Sequence, residues 1–413
     1  MTIAQDTCRF CKNKLEQSFC DLGMTPLSNS YLTKDQLELG ESFYPLHAYV
    51  CSKCFLVQVK EYEIPKNIFG NYAYFSSYSD SWLKHCQKYA ERMIERLKLD
   101  SSKKVIEIAS NDGYLLQFFK KHHIPVLGIE PAANVAKVAE EKGIESLVRF
   151  FGPQVAQELK DKSVQADLLI GNNVLAHVPD LNGFVKGLKI LLKSDGVITM
   201  EFPHLLQLMK AKQFDTIYHE HFSYFSLLTS EKIFKAQGLK IFDVEEIETH
   251  GGSLRIYAAH EEDSQKQVSQ RVLDLKERER QLGFDDLGGY AKFYVDVQQV
   301  KSDLLGFFLD CKKKGKKIVG YGAPAKGNTL LNFCGIGPQL LEFTVDRSPH
   351  KQGQFLPGSH IPIYAVEEVS RAKPDYLFIL PWNLKEEIMN QMAFIRKWGG
   401  KFVIPIPQLE ISS

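Results

Sequence analysis

Four cysteines near the start of the chain, Cys8, Cys11, Cys51 and Cys54, form two Cys-x-x-Cys pairs about 39 residues apart. Two such tight knuckles can close a tetrahedron of thiolates around zinc; with all four corners filled no position is open to water, so the expected metal is structural. The alternative is a set of buried free thiols. Cys20 and His47 lie close by, with ordinary readings as a small core residue and a surface or core histidine. A second dense cluster, Tyr218-His219-Glu220-His221, sits in the aromatic run FDTIYHEHFSYFS. Adjacent titratable groups in an apolar setting are where pKa values move toward neutrality and acid/base roles arise, and that is the chemistry expected here. His219 and His221 would share one face of an extended segment, which leaves metal binding open, as it does a purely structural hydrogen-bonded cluster.

A third constellation follows the alternation of the chain. In VIEIASNDG a strand ends in Glu107 and runs through Ala109, Ser110, Asn111 and Asp112 to Gly113 before the helical YLLQFFKK. Small residues there let backbone approach a ligand at the carboxyl end of a strand, where open α/β sheets bind. The loop resembles the E-x-G-x-G-x-G loop of methyltransferases, with Ala109 and Asn111 where glycines are common. Glu130 closes the next strand, 17 residues after Gly113, where a carboxylate can accept hydrogen bonds from two ribose hydroxyls; the plain alternative is a solvated strand-end acid. Asn172, Asn173 and His177, in LLIGNNVLAHVPD, follow the fourth strand of the same pattern and face the same crevice, unless Asn is only a helix cap and His177 only a surface residue. No G-x-x-x-x-G-K-[ST] loop is present, so nucleoside triphosphate hydrolysis is not expected.

The elements that must hold these residues divide the 413-residue chain into an α/β arrangement of three units. Residues 1–70, short on periodic stretches, are expected to form the zinc module. Residues 71–300 open with an amphipathic helix from Ser79 to Leu99 and continue as a doubly wound parallel sheet, then two strands around Gly251-Gly252 and a helical connector over Glu261 to Cys311. Residues 301–413 repeat the alternation in a smaller Rossmann-like unit beginning at KKIVGYGAPAKGNTLLN. With 51 Lys+Arg against 50 Asp+Glu the net charge is +1, which supplies no global field for a polyanion; a nucleic-acid-binding zinc ribbon is not expected. No apolar run is long enough to span a membrane, and the start MTIAQDTCRFCKNK lacks a signal-peptide core, so a cytoplasmic monomer with no membrane partner is expected.

Taken together, the paired cysteines, the EIASNDG loop with Glu130, the YHEHFSYFS cluster, and the terminal GYGAPAKGNTLLN with DRSPHKQGQFLPGSHIP resemble the C-methyltransferases of deoxysugar biosynthesis over essentially the whole chain. The resemblance implies a zinc domain, an S-adenosylmethionine domain and a C-terminal Rossmann-like domain, with methylation at C3 of a nucleotide-linked 4-keto-6-deoxyhexose. It further implies His221 as the base, with Tyr218, Glu220, His177 and Tyr72 beside it, and Lys326 and Asn328 near phosphate or sugar. The chemistry gives these types a reason: the ketone acidifies the neighbouring C–H, a near-neutral base removes it, and donors such as Tyr218, His177 or an Asn stabilise the enolate. Glu220 could orient a histidine or relay a proton. Two rivals stay open: GYGAPA with Asp346 some twenty residues on also fits a dinucleotide fingerprint, hence an NAD-dependent sugar-nucleotide oxidoreductase; and cofactor motifs alone do not exclude oxygen or nitrogen acceptors.

Overall fold

A computed structural model describes residues 6–63, 76–78 and 80–413; Tyr72 lies outside the described residues. The first sheet contains β1 (Gln17–Thr25), β2 (Tyr44–Val50) and β3 (Val57–Val59), all antiparallel. The four sulfurs at its end lie within 4.8 Å of one another, with Cys8–Cys54 at 3.5 Å and Cys11–Cys51 at 3.4 Å. Tetrahedral bonds of about 2.3 Å require sulfur separations of about 3.8 Å, so the cluster is sized for zinc. Lys12 and Phe55, each directly after a cysteine pair, take φ of 62° and 66°, and their backbone amides donate to Cys8 O at 3.0 Å and Cys51 O at 2.9 Å, closing each knuckle. Cys20 is buried in the core, and His47 bonds Ser18 Oγ at 2.8 Å.

Helix α1 (Asp80–Leu97) packs Tyr89 and Met93 inward, as its apolar spacing predicts, and leads to the central sheet. There β4 (Val105–Ile108), α2 (Leu116–Lys121), β5 (Val126–Ile129), α3 (Ala133–Glu141), β6 (Ser146–Leu147), α4 (Pro153–Asp161), β7 (Ala166–Asn172), α5 (Leu181–Leu191) and β8 (Leu192–Pro203) alternate. β4 and β7, largely apolar, are buried on both faces, the mark of a parallel sheet covered by helices. After α6 (Leu205–Lys210), β9 (Ser223–Tyr224) and α7 (Leu227–Ala236), the hairpin β10 (Leu239–Ile247) and β11 (Ser253–His260) joins antiparallel, giving the order β10-β11-β8-β7-β4-β5-β6. The order reverses at β4, so the crevice lies at its carboxyl end.

The expected connector is two helices, α8 (Gln270–Gln281) and α9 (Gly288–Lys313), because Gly283 at φ 79° ends the first. Its α9 covers the first sheet, with Phe19 and Phe293 stacked at 4.7 Å. The last sheet has β12 (Ile318–Tyr321) followed by α10 (Ala325–Cys334), then β13 (Thr344–Val345), β14 (Ile363–Tyr364), β15 (Tyr376–Ile379), β16 (Lys401–Ile404) and β17 (Glu410–Ser412), in the order β14-β13-β12-β15-β16-β17, parallel except for β17. Among the described residues no helix is long and apolar enough to cross a membrane.

One pairing crosses from the first sheet to the centre of the chain: β9 adds to β3, Val57 opposite Tyr224 and Gln58 opposite Ser223. Gln58 also donates to Cys8 Sγ at 3.2 Å, linking the metal site to that strand. Elemental analysis should find about one zinc per chain, and Cys51→Ser should lose the metal together with the thermal stability of the first sheet; activity should then fall only as far as that folding does. Purified native protein without zinc would contradict this.

Candidate active site

At the end of β4 the backbone enters the left-handed region three times: Ala109 at φ 57°, Asn111 at 48° and Gly113 at 73°. Asn tolerates that conformation, whereas at Ala109 it costs about 1–2 kcal/mol, which explains why glycine suits the position. Glu130 clamps the turn, accepting from Asn111 N at 2.9 Å and Ala132 N at 2.8 Å; its carboxyl is raised by burial. The segment at 76–78 closes over the loop, Ser76 N donating to Asn111 Oδ1 at 3.0 Å. Lys142 pairs with Asp112 at 3.3 Å.

Several buried polar atoms here lack partners: both oxygens of Glu107, Ser110 Oγ, Asp112 Oδ1 and both side-chain polar atoms of Asn172. Burial pushes Glu107 well above the usual carboxylate range, only partly offset by the nearby Tyr114 hydroxyl. Folded interiors hold few such orphans, so their gathering at the ends of β4 and β7 marks a site for a ligand rich in donors and acceptors. Asn173, at φ 54°, caps no helix; its Nδ2 donates to His250 Nε2 at 3.2 Å.

The Tyr218–His221 loop lies between α6 and β9. A carbonyl can only accept, so His221 Nδ1, 3.0 Å from Thr216 O, carries the proton, and bare Nε2 accepts the Tyr218 hydroxyl at 2.8 Å. By the same logic His177 Nδ1 donates to Glu220 O at 2.8 Å. The His177 and His221 rings meet edge to face at 4.8 Å. Burial holds His177 at about 4 and, with His177 adding to it, His221 well below its usual value, so both are neutral at pH 7. Glu220, buried and bonded to Asn29 at 2.6 Å, is raised to about 7 by burial.

His219 turns away from this group. Its Nε2 bonds Pro45 O at 3.2 Å, and Tyr44 and Tyr62 flank it, so it braces the loop on the first sheet. His219 and His221 therefore do not converge on one metal; among the described residues the metal-sized cluster is the cysteine set. Asn328 is buried and holds Ser28 O at 2.5 Å, while Lys326 reaches Asn383 Oδ1 at 2.8 Å.

Four contributors carry no motif of their own in the sequence. His250 sits in the β10–β11 turn at φ 56° and is lowered to about 4 by burial and then Lys326. Glu201 on β8 anchors that turn through Thr249 Oγ1 at 3.0 Å and pairs with Arg255 at 2.7 Å and His85 at 3.2 Å; burial opposes its ionisation, yet these partners hold it at about 2. Asp215 and Trp382, bonded at 2.6 Å, join the central and last sheets. Only the Gly-Gly after His250 hinted at a special turn.

A C-methyltransferase C-terminal domain model matches residues 248–407, a zinc binding domain model residues 8–69 and a methyltransferase domain model residues 82–244. The C-methyltransferase NovU of Streptomyces niveus is 35% identical over 409 residues, covering 99% of this chain and 97% of the relative. The chain belongs to the zinc-containing, S-adenosylmethionine-dependent C-methyltransferase family. This family assignment excludes the oxidoreductase reading of GYGAPA and makes carbon the acceptor atom. A ubiquinone biosynthesis O-methyltransferase of Bartonella quintana is 27% identical over 96 residues, 23% of this chain and 39% of that protein. A magnesium protoporphyrin IX methyltransferase structure from Synechocystis PCC 6803 covers 43% of this chain and 83% of its own at 14% identity and TM-score 0.35.

The orphaned acceptors and donors around Glu107 and Asn172 fit the nucleoside and amino-acid ends of S-adenosylmethionine. Glu130→Ala should weaken its binding by about 1.5–3 kcal/mol for each charge-assisted hydrogen bond lost, leaving sugar-nucleotide affinity nearly intact. Calorimetry showing unchanged cofactor affinity would remove Glu130 from the site.

Proposed function

We propose that this C-methyltransferase acts on C3 of a nucleotide-linked 4-keto-6-deoxyhexose in branched deoxysugar biosynthesis, through an enolate formed by His221. The observation that carries the reading is the neutral imidazole of His221, its bare Nε2 capped by the Tyr218 hydroxyl, next to His177 and the end of the cofactor crevice. An imidazole in that state can take a proton without first losing one. The family resemblance of YHEHFSYFS supports the assignment to a keto-sugar.

In this reading Glu107, Asp112, Glu130, Asn172 and Asn173 hold the cofactor, and residues 1–70, 71–300 and 301–413 act as metal, cofactor and substrate units. When bound, S-adenosylmethionine supplies an electrophilic methyl on a sulfonium. The protein's part is to seat C3 against it and to remove the C3 proton to His221 Nε2. Tyr218 guides that proton, and His177, fixed by Glu220 O, faces the sugar. Glu220, with a pKa near 7, is the second candidate base, because its proton affinity suits neutral pH while His221 is depressed by burial.

An acceptor panel with product NMR tests the substrate: a new methyl on C3 of a 4-keto sugar is expected, and turnover of other carbon acids alone would overturn the reading. His221→Asn should lower kcat by about 10²–10⁴-fold with little change in KM. His219→Asn, a change in a brace, should cost less. If Glu220→Gln instead abolishes turnover while His221→Asn retains it, Glu220 is the base.

A further inference from the structure

Lys326 opens α10 and reaches from the last sheet toward the central one. Its Nζ donates to Asn383 Oδ1 at 2.8 Å and lies 4.7 Å from the centre of the Trp382 ring. An ammonium has three donors, and among the described residues this one forms no ion pair and no second hydrogen bond. Across from it, Asp215 is fully buried; Trp382 Nε1 donates to one carboxylate oxygen at 2.6 Å, and the other oxygen has no partner. A cation with spare donors and a buried acid with a spare acceptor thus lie within electrostatic range of each other without bonding each other.

The mounting is rigid. Trp382 lies so close to the β10–β11 turn that a Cβ on Gly251 would come within 2.6 Å of its ring, and Gln213 Nε2 donates to Gly251 O at 2.6 Å. The turn carries His250, so Lys326, His250 and the Asp215 segment are fixed relative to one another across the boundary between sheets. The charge of Lys326 also disfavours protonation of both His221 and His250, which puts the ammonium within electrostatic range of the base.

We propose that Lys326 is a catalytic residue whose ammonium binds the substrate's ketone oxygen and stabilises the negative charge that develops there on enolisation. The inference rests on the keto-sugar reading above. The C3–H bond breaks, its proton goes to His221 Nε2, its electron pair forms the C3=C4 bond, and the carbonyl pair moves onto the oxygen facing Lys326. On methyl transfer that charge returns to restore the C4 carbonyl as C3 bonds the methyl carbon, and the former S–CH3 pair stays with sulfur. A preorganised cation in a site screened from water is worth most at the moment such charge appears.

The test uses zinc-loaded protein and compares wild type with Lys326→Met and with Lys326→Gln, which removes the charge but keeps a hydrogen-bond donor on the side chain. Each is measured for kcat and KM on the accepted keto-sugar nucleotide and, by calorimetry, for affinity toward the nucleoside diphosphate alone. Both variants should lose about 10²–10³-fold in kcat. Their diphosphate affinity should stay within about threefold of wild type, which also reports that the site is folded. A large loss of diphosphate affinity with kcat preserved at saturation would make Lys326 a phosphate ligand and overturn the proposal, as would wild-type kcat in Lys326→Gln. Wild type that methylates no 4-keto sugar would sink the underlying function reading, and this inference with it, without any variant being involved.

Discussion

The pairing of β3 with β9 is short, two residues against two, yet the site depends on it. A strand that brief contributes little alone, and it persists because its partner is fixed at the other end by the cysteine cluster through Gln58. The loop carrying Tyr218, Glu220 and His221 ends where β9 begins, so it cannot drift from the first sheet. His219 adds a second tie at Pro45, and Asn29 reaches Glu220 from the segment after β1. A structural metal with no open coordination position can thus govern the geometry of a reaction it takes no part in.

The opposite wall of the crevice stores strain and unpaired polarity. Left-handed residues at Ala109, Asn111 and Asn173 and the orphaned atoms of Glu107, Ser110 and Asn172 all lie at the carboxyl ends of β4 and β7. These features oppose stability and persist because the parallel strands beneath are fully buried and Glu130 clamps the turn. The third wall comes from the last sheet, where Trp382 and Asp215 join units whose residues are 167 positions apart in the chain.

Local chemistry was legible before the fold. Periodicity carries α1, β4, β5, β7 and β12, because burial on a helix stripe or a two-sided strand leaves a pattern in neighbouring residues. The cysteine spacing carries the metal site for the same reason. What escaped is what depends on distant partners: β9 is too short to have a pattern, and Glu201, Arg255 and His85 form one buried ion network from three separate elements. His250 is an unremarkable residue until the hairpin turns it into the crevice. The connector expected as one helix is two, because one glycine, Gly283, breaks it with little change in surrounding polarity.

Whether a carbon–hydrogen bond next to a ketone is broken in this crevice is the question on which the account turns. The most direct measurement supplies the keto-sugar nucleotide with deuterium at C3 and follows its fate by mass spectrometry of the product and NMR of the water. Each methylation should release the C3 deuterium to solvent and leave none at C3 of the methylated sugar. Methylated product that retains the full C3 deuterium would contradict it, because the methyl would then have gone elsewhere.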